Sequence, residues 1–297
     1  SDLHADEFDM ALLGFDSEEL EKLLALDAGA IDPDAPPAGE ITEDEAPEPP
    51  ADPITKPGDL WILGRHRVLC GDSTKAECVA RLMDGANADL WLTDPPYNVD
   101  YTGKTKAALK VSNDALKDVH FRDFLSDCFR AAFGVLKPGA SFYVWHSDRH
   151  SLAFHLAIES CGQTLRQILV WVKNCLVMNR TDYQPKHEPC LYGWKDGASH
   201  GRYSDRKQTT VLEFSKPSRS EDHPTMKPVA LFAYQIGNST APQGLVYDSF
   251  LGSGTTLIAA EQLGRTCYGM EISPAYCDVI VKRWENLTGK KAVLEAT

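Results

Sequence analysis

From Asp59 onward, short apolar runs alternate with stretches of helical periodicity, and this rhythm constrains the fold more than any other feature of the chain. Such runs are too short for helices but suit strands covered on both faces. Strands are expected at Trp61–Leu63, Val68–Cys70, Leu90–Leu92, Ser141–Trp145, Ile168–Val172, Leu245–Tyr247 and Thr266–Gly269. Helices are expected at Lys75–Met83, Ala115–Leu136, Ser151–Ser160, Pro228–Ile236, Thr255–Leu263 and Pro274–Leu287. Strand and helix in turn predict an α/β fold, a doubly wound and mostly parallel sheet. The polar, aromatic and basic stretch 173–222 breaks the rhythm and reads as a small insertion within a domain spanning 59–291, with 292–297 as a tail.

The part before this domain has a different character. Phe8–Leu26 carries Met10, Leu12, Leu13, Leu20, Leu23, Leu24 and Leu26 among acidic residues, an amphipathic helix within a segment 1–27. It suits either a solvated appendage or a helix that docks a partner. Residues 28–58 hold eight of the chain's 18 prolines with many acids, a composition that favours a flexible linker. Ser1–Gly58 contains 17 acidic and two basic residues of the chain's 43 and 30, leaving 26 and 28 for the rest. The overall charge of −13 therefore belongs to the N-terminal part. The body is close to neutral, and Gln163–Ser220, with ten basic and five acidic residues, is compatible with a phosphate-contacting face.

Two turns carry the chemistry. In Val246-Tyr247-Asp248-Ser249-Phe250-Leu251-Gly252-Ser253-Gly254-Thr255-Thr256 an apolar strand enters a glycine turn that opens a helix. Glycines allow close backbone approach, and a helix N-terminus offers unpaired N–H groups. Taken alone this is also the signature of a structural tight turn. Glu271, at the end of the next strand about 20 residues on, is where α/β nucleotide sites place a carboxylate against ribose hydroxyls. In Trp91-Leu92-Thr93-Asp94-Pro95-Pro96-Tyr97, a strand delivers an acid, two prolines and an aromatic at its carboxyl end. An amino group on an aromatic base is a poor nucleophile, because its lone pair is delocalised into the ring. Hydrogen bonds from its N–H groups to the Asp94 carboxylate and the Pro95 carbonyl favour a pyramidal nitrogen. Pro95 and Pro96 stiffen the loop, and Tyr97 suits stacking on a base that has left its helix.

These segments resemble the β-class of DNA amino-methyltransferases. Asp94-Pro95-Pro96-Tyr97 is similar to the family's catalytic motif, and Asp248-Ser249-Phe250-Leu251-Gly252-Ser253-Gly254 to its cofactor motif, usually Asp-Pro-Phe-x-Gly-Ser-Gly. His223-Pro224-Thr225-Met226-Lys227-Pro228 resembles a third, usually His-Pro-Thr-Gln-Lys-Pro. Lys56-Pro57-Gly58-Asp59-Leu60 through Gly71-Asp72, and Asp182-Tyr183 through Gly193-Trp194, look like phage-associated or orphan members, some of which carry a ParB-like domain upstream. The resemblance implies a Rossmann-like methyltransferase sheet in circularly permuted motif order, with S-adenosylmethionine as cofactor and no metal. It implies that Asp72, followed by Ser73, bonds the cofactor adenine and that Glu271 bonds the ribose. The loop of Asp248, Phe250, Gly252, Ser253, Gly254, Thr255 and Thr256 then surrounds the methionine portion, Lys227 lies near its carboxylate, and Asp94 borders both ligands. Ser249 and Met226 depart from the usual proline and glutamine without removing a charge.

The implied activity is methylation of the N6 amino group of adenine in double-stranded DNA by base flipping, in a bacterial cytosol. N4-cytosine methylation is the nearest alternative, although those enzymes more often carry Ser in place of Asp94. A catalytically inactive DNA-binding protein is the other. DNA contacts are expected from Lys104, Lys106 and Lys110 in a loop after the catalytic turn. Lys173, Arg180, Tyr183, Lys186, Arg202, Arg206 and Lys207 belong to the expected recognition segment 173–222. Core aromatics with solvated charges describe this second set equally well. So short a segment points to relaxed specificity or to a homodimer on a palindromic site. The scattered cysteines, without a C-x-x-C pair, and the group His146, His150 and His155, without matching acids, do not form metal-site spacings. No apolar run approaches the roughly 18 residues of a membrane span.

Overall fold

The computed structural model describes residues 44–98, 117–174, 182–215 and 226–295. The expected N-terminal helix, residues 28–43 of the expected linker, Lys104, Lys106, Lys110, Arg180 and His223–Thr225 lie outside the described residues.

Ten strands form one sheet in the order β10-β1-β2-β9-β8-β3-β4-β6-β5-β7. They are β1 Leu60–Leu63, β2 His66–Cys70, β3 Ala88–Thr93, β4 Leu136–Trp145, β5 Leu165–Val172, β6 His187–Trp194, β7 Val211–Glu213, β8 Leu245–Asp248, β9 Thr266–Glu271 and β10 Val293–Leu294. The central strands β2, β9, β8, β3 and β4 are mutually parallel, β6 runs antiparallel to β4 and β5, and β7 is parallel to β5. The helices are α1 Ala76–Met83, α2 Asp118–Gly134, α3 Ser151–Ser160, α4 Val229–Ser239, α5 Thr255–Gln262 and α6 Pro274–Thr288. This is the expected doubly wound α/β arrangement.

Alternation along each strand divides the apolar residues between two layers. Leu69, Trp91, Phe142, Leu191, Tyr247 and Met270 pack with α1, α2 and α3 in one core. On the other face α4, α5 and α6 pack in sequence, with α4 against β3 and β4 and α5 against β9. Buried on both sides, the central strands read as nearly continuous apolar runs.

Four differences from the sequence reading have physical causes. The stretch 173–222 is not a separate insertion, because β6 lies within the sheet between β4 and β5. Its sequence, His-Glu-Pro-Cys-Leu-Tyr-Gly-Trp, hides a strand behind a charge, a proline and a glycine. The glycine is required there: a Cβ on Gly193 would stand 2.4 Å from the Phe142 ring. Second, α2 ends at Gly134 and β4 starts at Leu136, since the residue before Pro138 is pushed towards extended conformation. Third, Val293 and Leu294 of the expected tail pair with Ile62 and Trp61.

Fourth, the last part of the expected linker packs onto the domain. The Asp44 carboxylate accepts from Val229 N at 2.7 Å, at the start of α4, and Thr55 is buried against the Asp278 carboxylate. Pairing with a helix N-terminus and with a half-buried acid offsets the ordering cost that composition alone predicts to win.

Candidate active site

The expected catalytic and cofactor residues gather at one edge of the sheet, where β2, β9, β8 and β3 all present their carboxyl ends. Asp72 follows β2, Glu271 closes β9, Asp248 closes β8, and Asp94 follows β3. Crevices of this kind, outside the carboxyl ends of parallel strands, are where open α/β sheets bind ligands.

The glycine turn is held from both sides. Gly252 and Gly254 have φ of +53° and +89°, and a Cβ on Gly254 would press Ile280 at 3.1 Å. Glu271 Oε2 accepts from Gly252 N at 2.9 Å and Oε1 from Ser273 N at 2.8 Å. Burial pushes the Glu271 carboxyl up to about 7, against the pull of these two N–H groups. Arg283, buried in α6, donates to Ser253 O at 3.1 Å and lies 3.7 Å from Met226 Sδ, so the residue that replaces the usual glutamine touches the arginine that braces the turn. Ser249, in place of the usual proline, accepts from Trp91 Nε1 at 3.0 Å, a bond that proline could not make. Asp72 Oδ1 accepts from Thr74 N at 2.9 Å and Thr74 Oγ1 at 2.7 Å, and among the described residues Oδ2 has no partner.

Asp248 takes a different place from the one expected. It is 1% exposed and fully engaged inside the protein, with Oδ1 accepting from Thr93 Oγ1 at 2.8 Å and Phe250 N at 3.0 Å, and Oδ2 from Thr256 Oγ1 at 2.5 Å. It ties the glycine turn and α5 to the end of β3, and with Thr255 and Thr256, both buried, it shapes the cradle from behind. Burial pushes its carboxyl up to about 6, opposed by its three donors. An acid whose folded pKa lies above its ordinary 3.8 stabilises the fold below that value and loses this contribution as pH rises through 6, about 3 kcal/mol in all. Asp248→Asn is therefore expected to gain about 2–3 kcal/mol relative to the parent between about pH 4 and 7. Urea midpoints of both proteins across that range check this; a constant difference contradicts it.

At the end of β3 the Asp94 carboxylate is gripped on both oxygens. Tyr97 OH donates to Oδ1 at 2.6 Å and Lys227 Nζ to Oδ2 at 2.6 Å, while Lys227 also reaches Tyr97 OH at 3.0 Å and Glu188 Oε2 at 3.0 Å. Lys173 pairs with the other Glu188 oxygen. Pro95 is buried and Pro96 and Tyr97 half-buried. Burial raises the pKa of Asp94, yet an ammonium and a hydroxyl both aim donors at it, the geometry of an ionised carboxylate. Burial also pushes Glu188 up, but Lys227 and Lys173 outweigh it and hold this carboxyl at about 2. Trp145 lies beneath, its ring 5.7 Å from Lys227 Nζ.

The expected DNA contacts do not stay together. Lys173 is buried and turned inward to Glu188. Tyr183, 91% exposed, and Lys186 precede β6 at the edge that holds Asp94. Arg202 is exposed beside Tyr203, whose N–H donates to Asn238 O near the far end of α4, about 15 Å along the helix from Lys227. Arg206 and Lys207 follow on a turn built around Asp205. Glu188 is the member of this charged cluster that sequence reasoning missed. Its signal was a lone acid at the head of an otherwise uncharged stretch, with Lys173 closing the strand it pairs with. His146 and His155 share Ser151, and among the described residues no group of His, Cys, Asp and Glu side chains is arranged to hold a metal.

Comparison with known proteins identifies the family. Residues 88–282 match the family described as DNA methylase, and residues 1–57 match the ParB-methyltransferase HTH domain. The putative methylase YubD of Escherichia coli (strain K12) is 31% identical over 217 residues, covering 71% of this chain and 86% of that protein. The M1.HpyAVI–SAM complex superposes with a TM-score of 0.56 at 24% identity, covering 73% of this chain and 97% of that one. PvuII DNA methyltransferase (cytosine-N4-specific) does so with 0.57 at 18% identity, covering 77% and 94%. The matched span starts at the first residue of β3 and runs into α6, enclosing both the Asp94 turn and the glycine turn, and the chain belongs to the DNA methylase family.

Proposed function

We propose that the chain transfers a methyl group from S-adenosylmethionine to the exocyclic N6 amino group of adenine in double-stranded DNA. The observation that carries this reading is the juxtaposition at one sheet edge of the Asp94-Pro95-Pro96-Tyr97 turn with a glycine turn braced by Glu271.

The residues present fit the cofactor. Asp72, with an oxygen unpartnered among the described residues, suits the adenine amino group, and Glu271 the ribose hydroxyls. Phe250, Gly252, Ser253 and Gly254 line the methionine portion, and Ser73, Thr255 and Thr256 support the walls. The cofactor supplies, when bound, a methyl group already activated by its sulfonium. The protein's own task is then to hold and aim the amino group. Asp94 accepts one amino N–H and the Pro95 carbonyl the other, keeping the nitrogen lone pair out of the ring. Asp94 or water takes the released proton. Tyr97 offers a face for the everted base, against an eversion cost of roughly a few kcal/mol.

Asp94, rather than Ser, favours adenine over the N4 position of cytosine. Among the expected DNA contacts, Tyr183 and Lys186 lie on the catalytic edge, while Arg202 belongs to a different surface. The 1–57 match names a helix-turn-helix domain, yet this stretch is strongly acidic and repels phosphate, so DNA contact falls to the body. A homodimer would present two such bodies to a palindromic site. Incubation with tritiated S-adenosylmethionine and DNA, RNA or protein, then nucleoside chromatography, tests the reading. Label in N6-methyladenine supports it, and label only in RNA or protein refutes it.

Ribose binding through Glu271 has a pH signature. The carboxyl titrates near 7, and the ionised form is the better acceptor for two hydroxyls. The affinity for S-adenosylhomocysteine is expected to fall as pH drops below 7, by up to about tenfold per unit, and to become pH-independent and weaker in Glu271→Gln. Calorimetric titration checks both.

A further inference from the structure

The Asp94 carboxylate faces a conflict in the arrangement described. Each carboxylate oxygen can accept two hydrogen bonds, so an incoming amino group can share one. Oδ1 already accepts from Tyr97 OH and Oδ2 from the Lys227 ammonium, however, both at 2.6 Å, and the ammonium draws off the negative charge that the amino group needs. Lys227 is only 4% exposed, so its ammonium cannot leave for water and needs a carboxylate wherever it goes. A second carboxylate is already in reach: Glu188 Oε2 stands 3.0 Å from the same nitrogen. Glu188 is itself anchored by the buried Lys173 through its other oxygen, and Lys173 Nζ rests 5.1 Å from the Trp171 ring centre. The four groups Asp94, Glu188, Lys173 and Lys227 are balanced in charge, and moving Lys227 towards Glu188 keeps both ammoniums on a carboxylate while Asp94 exchanges its ion pair for the incoming amino N–H.

We infer that Glu188 is a positioning residue that receives the Lys227 ammonium when the amino group of the substrate base arrives at Asp94. Lys227 and Glu188 thus form a two-position latch on the catalytic carboxylate. It is closed on Asp94 in the structure and opens towards Glu188 in the loaded site. The inference rests on the proposed amino-methyltransferase reading.

Lys227 is faced by Asp94 and Tyr97 from the turn after β3, by Glu188 and Cys190 from β6, and by the Trp145 ring from β4. Lys173, at the end of β5, reaches it only through Glu188. Burial lowers the pKa of Lys227, but Asp94 and Glu188 more than restore it. With Glu188 neutralised, the only carboxylate left to Lys227 among the described residues is Asp94. The latch then opens only when Lys227 gives up its proton, so transfer should become faster as pH rises.

The test uses the full chain as parent, Glu188→Gln, Glu188→Asp, Lys227→Met and the Glu188→Gln/Lys227→Met double variant. Single-turnover methyl transfer is followed from about pH 6.5 to 9.5 with saturating DNA and S-adenosylmethionine. Lys227 is titrated in parallel by NMR of ε-15N-lysine without ligands. Calorimetric affinity for S-adenosylhomocysteine reports that each variant is folded. Glu188→Gln is expected to slow transfer about thirtyfold at pH 7 and to recover as pH rises, against a flatter parent profile. Its Lys227 should titrate at least about one unit lower. Glu188→Asp, which keeps the charge, should restore the parent profile. In the Lys227→Met background Glu188→Gln should change the rate by less than about twofold. Equal slowing at every pH, or the same loss in both backgrounds, overturns the latch while leaving the methyltransferase reading intact. A parent that transfers no methyl group overturns that reading and the latch with it, even if the Lys227 titration shifts as expected.

Discussion

Asp94→Ala is expected to slow methyl transfer at least about a thousandfold, ~4 kcal/mol of transition-state stabilisation, while changing affinity for S-adenosylhomocysteine by no more than a few-fold. The separation follows from where Asp94 sits. Its carboxylate bonds Tyr97 and Lys227, and none of the bonds that brace the glycine turn involve it. Removing it leaves Lys227 paired with Glu188, so no buried cation is orphaned and the fold should lose little. Asp94→Asn should fall between, since an amide oxygen still accepts one hydrogen bond but no longer balances Lys227. Single-turnover rates and calorimetry on the same preparations check both. Equal losses in rate and in cofactor affinity would place Asp94 in the cofactor site instead.

Trp91→Ala is expected to destabilise the protein by about 3–5 kcal/mol, the range for truncating a large buried aromatic. Trp91 is fully buried on β3, with Phe129 and Phe133 edge-on at 5.0 and 5.3 Å and Phe142 tilted at 6.5 Å. Its indole N–H also holds Ser249, so the substitution removes packing and a tie between the catalytic strand and the glycine turn together. Trp91→Phe keeps most of the apolar contact and should cost less. Urea unfolding of the three proteins measures the series, and a loss below about 1 kcal/mol for alanine would contradict the packing described.

Much of this arrangement was legible in the sequence, for reasons that also explain the rest. The parallel strands β2, β3, β8 and β9 are buried on both faces and announce themselves as apolar runs. The turns after β3 and β8 are legible because their chemistry demands rare residue combinations. β6 was not legible: Pro189 and Gly193 are poor strand residues in isolation, and only the close approach of Phe142 makes glycine necessary. Asp44 and Thr55 sit in a segment whose composition predicts solvation, and their partners, Val229 and Asp278, lie more than 180 residues away. Lys173 illustrates the same limit at the site. A basic residue in a basic stretch reads as a phosphate contact, whereas pairing of β5 with β6 sets Trp171 opposite Glu188 and brings Lys173, two residues on, within reach of the same carboxylate. Long-range pairing decides such cases, and local pattern carries no trace of it.

Selection of an exocyclic amino group for methylation is assigned to an acid and a peptide oxygen at one strand end. The most direct measurement treats a genome free of methylated bases with the full chain and S-adenosylmethionine, then reads every position by single-molecule sequencing. N6-methyladenine at a recurring motif is the predicted result. Methylation confined to ring carbon C5 of cytosine, or a genome left unmarked by protein that binds the cofactor, would contradict the account.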